Sequence, residues 1–324
     1  MKDKKYVSYN SLMKHIRSKG INISGSSQKR KLYLMGYYHG VKGYRFYNNA
    51  RNRIRYSNFG QIQDVVEFDE TLKSILYLPL MQLESAIKSI SCDKIIQEVG
   101  SCYFSDVFEK GIPKSERERF RTRDSIYSAL TKRYGSSKII QHYYNNDNVI
   151  PLWSIFEELM LGDLSQLIQT LNPSIKLEIS NELGIPKDLN TEGALLPKII
   201  LCIKDLRNAI AHNKVVFDGR YIEFKKRASM KEMLYTSTRI PNVNCTKLSD
   251  DIILVMVMMK NLKFNKLQLR KIVSQIIVAI TALKAKLSNE LFQEIVTDFP
   301  EKMKNLLVFI DSKPLSNGTN DTHV

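Results

Sequence analysis

Apolar side chains recur along this chain with a spacing that changes near residue 61. From Gln61 onward they return every three or four positions, which is the period of a helix with one buried face. The first such stripe comprises Ile62, Val65, Val66, Phe68, Leu72, Ile75 and Leu76. Before it, two short helices are expected to end at Gly20 and Gly36, while residues 36–60 show no clear period and are expected to form a loop or short strands. The pattern predicts an all-α fold whose first 60 residues form two short helices and an irregular stretch.

The rest of the chain repeats the helical period, and a few residues set the expected boundaries. Pro79 is expected to start or kink a new helix. A charged helix is expected over residues 114–134, followed by a polar connector over residues 138–150. Pro151 opens a further helix, which Gly162 is expected to break or bend.

Beyond residue 190 the pattern predicts an apolar helix over about residues 192–213 and further helices over 249–310. Ser249 is expected to cap the first of these later helices, and residues 267–287 form a long amphipathic segment. The tail after Lys313 is polar and is predicted to be disordered.

A small β-hairpin is expected directly after the helix over 192–213. Two β-prone runs, 215–217 and 221–224, flank the turn sequence Asp218-Gly219-Arg220. Asp-Gly between two such runs is a typical hairpin signal.

Composition narrows the class of protein. Of the 324 residues, 43% are apolar, which is enough for a substantial core, and the scarcity of glycine (14) and proline (9) disfavours a β-sandwich. The four cysteines form no C-x-x-C pair, so neither a zinc framework nor a disulfide scaffold is indicated and a reduced, cytoplasmic location is expected. The longest apolar run, 252–259, is too short to span a bilayer.

Positive charge is concentrated at the start of the chain. The net charge is +16, and residues 1–60 hold 14 lysines and arginines against one acid, together with eight of the 16 tyrosines. Cations neutralise phosphates and aromatic rings stack on bases, so this mixture favours RNA or DNA as a partner. A solvated basic surface over a small tyrosine core is the alternative, and a membrane is disfavoured. The candidate RNA contacts are Lys29, Arg30, Lys31, Tyr37, Tyr38, Lys42, Arg45, Arg51, Arg53 and Arg55.

The candidate chemistry lies in the six residues 207–212, Arg-Asn-Ala-Ile-Ala-His, near the end of the helix over 192–213. An apolar stripe on the same helix presses it against the core, so that Arg207 lies at the edge of the buried face. Asn208 and His212 are four residues apart and share one face of the helix.

Arginine and histidine at this spacing suit transfer of an RNA 2′-hydroxyl onto the adjacent phosphate. The imidazole of His212 can move the proton, and the guanidinium of Arg207 can hold the phosphate oxygens. No metal or other cofactor is expected, because the remaining histidines, His15, His39, His142 and His323, are scattered. The products would be a 2′,3′-cyclic phosphate and a 5′-hydroxyl.

Other interpretations stay open at this point. His212 could simply be favoured by the helix dipole, with Arg207 in an internal ion pair. The chain could be a non-catalytic RNA-binding protein or a helical adaptor. If it is an enzyme, one chain holds one Arg207–His212 set, and a homodimer would bring two sets to one scissile bond.

The sequence L-R-N-A-I-A-H-N resembles the R-N-x-x-x-H signature of HEPN-fold ribonucleases. More closely, the chain resembles abortive-infection proteins of the AbiD/AbiF type over roughly residues 6–225. The likeness rests on L-M-G-Y-Y…G-Y at 34–44, E-F-D…L at 67–72, P-L-W…E…L-G-D-L-S at 151–165, and 205–213. Two positions depart from the family pattern: Asn213 stands where a second histidine is common, and His39 where arginine is common.

This resemblance implies an all-α, HEPN-like helical bundle and phage defence by RNA cleavage, with Arg207 and His212 catalytic and Asn208 in support. It also implies that a small structured antitoxin RNA restrains some relatives. The expected organisation is a basic RNA-contacting segment over 1–60, a HEPN-like domain over 61–312 and a disordered tail over 313–324.

Overall fold

A computed structural model of the protein describes residues 8–49, 51–112, 116–223 and 228–312. Within these ranges the chain forms fifteen α-helices and no strand, so the predicted all-α class is confirmed. The first helices are α1 (Tyr9–Arg17), α2 (Gly25–Met35) and α3 (Phe59–Val99), with a π-helix, Gly36–Lys42, directly after α2. The middle helices are α4 (Phe104–Lys110), α5 (Glu116–Arg133), α6 (Lys138–Asn145), α7 (Leu152–Glu158), α8 (Leu161–Thr170), α9 (Pro173–Glu182) and α10 (Leu195–Ala211). The last are α11 (Ala228–Thr238), α12 (Leu248–Asn261), α13 (Lys266–Lys286), α14 (Asn289–Val296) and α15 (Phe299–Asp311).

Helix α3 is the central element, and the other helices are arranged around it. It has 41 residues and begins with a capping box between Asn58 and Gln61. Helices α7, α9, α10 and α13 pack against it, so one helix of about 60 Å supports most of the core.

Pro79 does not start a new helix, which was one of the two expectations for it, because α3 continues through this residue. A proline inside a helix removes one backbone hydrogen bond. Here the apolar side chains of Leu76, Leu80 and Leu83 are fully buried on both sides of it. Burial of this continuous face holds the helix together across the missing bond.

Three other local predictions need correction. The expected connector over 138–150 begins as helix α6, because Ser137 caps it and Ile140 is buried. The chain leaves its helix at Leu159 and Met160, both extended, rather than at Gly162. Lys247 is the N-cap residue of α12, whereas Ser249 lies buried inside its first turn.

The predicted hairpin is also absent from the described residues 215–223, and Phe224 lies outside the described part. The backbone N–H groups of Val216 and Phe217 donate to Oδ1 of Asp69 on α3, at 2.9 and 2.7 Å. These backbone N–H groups therefore donate to a buried carboxylate, and they do not pair with a second strand.

The prediction of a loop or short strands over 36–60 is wrong for residues 36–42, which form the π-helix. Exposed and buried side chains alternate further along this segment. Arg51, Arg53 and Arg55 are exposed, while Ile54 and Tyr56 are buried. The tail after Lys313 lies outside the described residues. In the ranges that the structure describes, none of the helices is long and apolar enough to cross a membrane.

A partly buried ion-pair cluster ties α15 to the start of α12. Nζ of Lys302, which is only 2% exposed, lies 2.7 Å from Asp250 and 2.9 Å from Asp298. Lys247 donates to the same Asp298 carboxylate at 2.8 Å. The carboxylate of Asp298 therefore bridges two lysines from different helices.

Acid should weaken this cluster. Burial opposes ionisation of the Asp298 carboxyl, but hydrogen bonds from Lys247 and Lys302 lower its pKa from 3.8 to about 2. Such a group stabilises the fold above its ordinary pKa, and the stabilisation is lost as pH falls through the folded value. The difference in urea midpoint between wild type and Asp298→Asn should therefore shrink between about pH 5 and about pH 2. Asp93→Asn, at an exposed site, is the control, and a constant difference for Asp298→Asn would contradict the expectation.

Candidate active site

Helix α10 carries the Arg207–His212 residues and is fixed against the core as predicted. Its apolar stripe is buried throughout: Leu196, Ile199, Ile200, Ile203, Leu206 and Ile210 are each at most 8% exposed. Arg207 and Asn208 are half-buried beside this stripe, and His212 is exposed at the helix end. The three side chains thus lie where a buried helix face meets solvent.

Glu84 of α3 is the partner of Arg207, and sequence reasoning missed it. Nε of Arg207 donates to Oε2 of Glu84 at 2.8 Å, and Lys88 lies 3.2 Å from the other oxygen of the same carboxylate. The Arg207 side chain keeps 32% of its surface exposed, against 10% for Glu84. The sequence does contain a signal for this pair, because Glu84 lies between the buried residues Leu83 and Ile87. A carboxylate at such a position requires a cationic partner.

Asn208 orients the guanidinium of Arg207 rather than the imidazole of His212. Its Oδ1 accepts a hydrogen bond from Nη1 of Arg207 at 3.0 Å. Two side-chain oxygens therefore hold Nε and Nη1, while Nη2 has no hydrogen-bond partner among the described residues. These two contacts leave a fixed guanidinium edge available to an anion.

His212 is the last residue before the chain turns away from α10. The N–H groups of Asn213 and Lys214 donate back to the carbonyls of Ile210 and Ala209, at 3.0 and 2.8 Å. Asn213 has φ 51°, the left-handed conformation with which helices commonly end. The imidazole of His212 makes no hydrogen bond in the part of the chain that the structure describes, so it is open to a ligand.

Asn213 links this turn to α3 and to the π-helix. Its Oδ1 accepts from Nζ of Lys73 at 2.6 Å, and its Nδ2 lies 3.3 Å from Nε2 of His39. Lys73 is buried and pairs with Asp69 at 3.1 Å. The carboxylate of Asp69 also accepts the hydroxyl of Tyr44 at 2.7 Å. The end of α10 is thereby held by residues from the first quarter of the chain.

The hydroxyl of Tyr44 is a permanent donor in this network. Its side chain is completely buried, and burial, followed by the negative charge of Asp69, raises the pKa of Tyr44 above its ordinary value. The ring of Tyr44 also stacks on Phe217, with centroids 5.8 Å apart. Tyr44 therefore belongs to the core that supports the site and is not available to stack on a base.

Arg220 fastens the segment after α10 to the basic N-terminal segment. Its guanidinium donates to the carbonyls of Gly43, at 2.6 Å, and Phe46, and it pairs with Asp218 at 2.6 Å. Asp218 in turn accepts from the backbone N–H of Asn48 at 2.5 Å. The basic segment and the candidate active site are therefore neighbours in space, although the sequence separates them by more than 150 residues.

The candidate RNA contacts differ in their exposure. Lys29, Tyr37 and Arg45 are half-buried, and the others are exposed: Arg30, Lys31, Tyr38, Lys42, Arg51, Arg53 and Arg55. Nζ of Lys42 lies 5.1 Å from the centre of the Tyr38 ring, which is 75% exposed. Tyr56 is buried like Tyr44, so the tyrosine-core alternative holds for these two rings.

Arg45 and Arg53 form a local excess of positive charge. Burial, followed by the charge of Arg53, lowers the pKa of Arg45 below its ordinary value. Nε of Arg45 is buried and has no hydrogen-bond partner among the described residues. Two cations close enough to perturb one another favour a polyanion at this surface.

The described residues contain no group of three or more histidine, cysteine, aspartate or glutamate side chains that could hold a metal ion. The donors at the candidate site are a guanidinium, a carboxamide and an imidazole. This set can bind a phosphate and transfer a proton.

The model of a family described as Abi-like protein matches residues 30–218, which is more than half of the chain. No curated protein and no solved structure matches.

Proposed function

This chain belongs to the Abi-like protein family, and from that membership and the site at the end of α10 we propose that it is a metal-independent, HEPN-type endoribonuclease. The family suggests a role in abortive infection, a form of phage defence. In this proposal, the protein limits phage growth by cleaving RNA in the infected cell. Arg207 and His212 carry the chemistry in this proposal, and Asn208 orients Arg207.

The observation that supports the proposal most is the pairing of a fixed guanidinium edge with an exposed imidazole on one helix end. Glu84 and Asn208 hold Arg207 while Nη2 remains available. Five residues on, His212 is exposed and without a hydrogen-bond partner in the described ranges. An arginine that is already immobilised loses little entropy when it binds a phosphate.

The reaction follows from these groups. The imidazole of His212 takes the proton of an RNA 2′-hydroxyl, and the 2′-oxygen attacks the adjacent phosphorus. Arg207 neutralises charge on the non-bridging oxygens as the phosphorus becomes five-coordinate. The bond from phosphorus to the 5′-oxygen breaks, and that oxygen receives a proton from the protonated His212 imidazole of a second copy of this chain. A 2′,3′-cyclic phosphate and a 5′-hydroxyl result.

A homodimer is part of the proposal. One chain holds one Arg207–His212 set, and a second set from another copy would provide one imidazole to accept a proton and another to donate one. The basic N-terminal segment lies beside the end of α10 and suits either the substrate or a restraining antitoxin RNA.

Cleavage itself is tested with purified protein and a labelled RNA. We expect cuts that leave a 2′,3′-cyclic phosphate and continue in EDTA. A single 2′-deoxy substitution at the cut site should block that cut, because the nucleophile is missing. Products with a 3′-hydroxyl, or cleavage of the 2′-deoxy position, would contradict the proposed chemistry.

The ion pair between Arg207 and Glu84 favours a second candidate, a non-catalytic RNA-binding protein. In that case the ion pair of Arg207 would stabilise the fold, and the basic N-terminal segment alone would bind RNA. Charge reversal at Lys29, Arg30 and Lys31 would then abolish protection against phage, while His212→Ala would leave protection intact.

RNA affinity should depend on salt through the exposed arginines of the basic segment. Removing one cation that neutralises a phosphate should reduce the slope of log affinity against log salt by about 1. We expect Arg51→Ala with Arg55→Ala to lower the slope by about 2, as measured by fluorescence anisotropy between about 50 and 200 mM salt. Lys271→Ala with Lys284→Ala removes the same charge from α13 and is the control. If the two double substitutions lower the slope equally, the RNA does not bind at Arg51 and Arg55.

A further inference from the structure

The hydrogen bonds of Asn213 determine which nitrogen of His39 carries the hydrogen. Oδ1 of Asn213 accepts from Nζ of Lys73, a group that can only donate. The amide is therefore oriented with Nδ2 toward His39, and Nε2 of His39 must accept. The remaining ring nitrogen, Nδ1, then bears the hydrogen.

The backbone holds this ring at the His212 turn. His39 lies in the π-helix, where the carbonyl of Tyr38 accepts the N–H of Gly43 at 2.9 Å. A side chain at Gly43 would collide with the carbonyl of His39, so the close approach of this segment requires glycine. His39 contacts Asn213, the residue next to His212, and consecutive Cα atoms are about 3.8 Å apart. His39 therefore lies beside the turn that carries His212.

We propose that His39 is a substrate-binding residue of the proposed ribonuclease site, and that it donates its Nδ1–H to a phosphate oxygen of the RNA. This inference rests on the proposed function and assigns a further residue to it. His39 is exposed, and Nδ1 has no hydrogen-bond partner among the described residues. Two further cations lie close in sequence to these residues, because Lys42 is three residues after His39 in the π-helix and Lys214 directly follows Asn213.

The bond to Asn213 separates this role from proton transfer. An imidazole whose Nε2 accepts from an amide cannot take a proton there without losing that bond. His39 is thus a neutral donor in the proposal, and His212 moves the proton.

Three substitutions distinguish the possible roles of His39. The amide of asparagine can place a donor near the position of Nδ1, whereas that of glutamine reaches the position of Nε2. Hydrogen bonds to charged groups are strong enough that losing one costs about tenfold in affinity. We expect His39→Asn to bind a fluorescein-labelled 2′-O-methyl oligouridylate within about threefold of wild type. His39→Gln and His39→Ala should bind about tenfold more weakly.

The outcomes are distinct. Equal affinity for wild type and all three variants overturns the proposal, whether or not the protein cleaves RNA. Full binding by His39→Gln with loss in His39→Asn would show that the ring only braces Asn213. Normal binding by all variants with lost cleavage in all would show a proton-transfer role. Parallel assays of wild type and His212→Ala on cleavable RNA test the ribonuclease activity separately, because the 2′-O-methyl probe cannot be cut.

Salt dependence provides a second readout, which distinguishes a neutral donor from a cation. A neutral donor releases no counterion, so His39→Ala should weaken binding without changing the slope of log affinity against log salt. Arg55→Ala should lower this slope by about 1. A lower slope for His39→Ala would mean that the ring binds as a cation, and would overturn the neutral-donor assignment.

Discussion

Replacing His212 with alanine is expected to reduce RNA cleavage by about 10²- to 10⁴-fold while the protein stays folded. In the proposed mechanism, this loss follows from removing the group that accepts the 2′-hydroxyl proton. The fold should not suffer, because the imidazole is exposed and makes no hydrogen bond in the described part of the chain. We expect the free energy of unfolding to change by no more than about 0.5 kcal/mol. Single-turnover cleavage and urea denaturation of the same preparation measure both quantities.

His142→Ala is the matched control, since it removes another exposed histidine, on α6. It should cleave RNA like wild type. Asn208→Ala should have an intermediate effect, because Arg207 loses one of its two holding contacts but keeps Glu84. Unchanged cleavage by His212→Ala would remove His212 from the mechanism and favour the non-catalytic RNA-binding protein.

Asp69→Asn should destabilise the fold by about 3–5 kcal/mol. The carboxylate is completely buried and accepts hydrogen bonds from Tyr44 and from the backbone of Val216 and Phe217, in addition to its ion pair with Lys73. An amide is uncharged and can accept with only one of its two polar atoms. Lys73 would then be a buried cation without a carboxylate. Urea denaturation measures the loss.

A second substitution tests this explanation. Lys73→Met removes the cation that Asp69→Asn leaves buried without a carboxylate. The double variant should therefore lose less free energy of unfolding than the sum of the losses in the two single variants. Asp93→Asn, at an exposed position of the same helix, should change stability by less than about 0.5 kcal/mol. If Asp69→Asn unfolds at the wild-type urea concentration, Asp69 does not hold the segment after α10.

The helices were largely predictable because burial imposes a period on the sequence. Helix α10 lies within three residues of its expected bounds, and each residue of its apolar stripe is buried. The amphipathic segment over 267–287 corresponds to α13, Lys266–Lys286. In each case a local pattern carries the information, so no knowledge of distant residues is needed.

The supports of the candidate site were not predictable in this way, because they join residues far apart in sequence. Glu84 and Arg207 are 123 residues apart, and His39 and Asn213 are 174 apart. The hairpin prediction failed for the same reason, since Asp69 takes the backbone donors of Val216 and Phe217 across nearly 150 residues. Local turn signals cannot anticipate a distant buried acceptor.

The attachment of the α10 end to α3 and to the π-helix also sets an order of assembly during synthesis. Residues 36–84 leave the ribosome first, and the turn at His212 and Asn213 follows more than 120 residues later. Chains fold as units from the N-terminus while they are made, so α3 can form before its partner exists. The turn that carries His212 is held against α3 and the π-helix only when Asn213 meets Lys73 and His39. A growing chain therefore carries no assembled Arg207–His212 site until about two thirds of its 324 residues have been made.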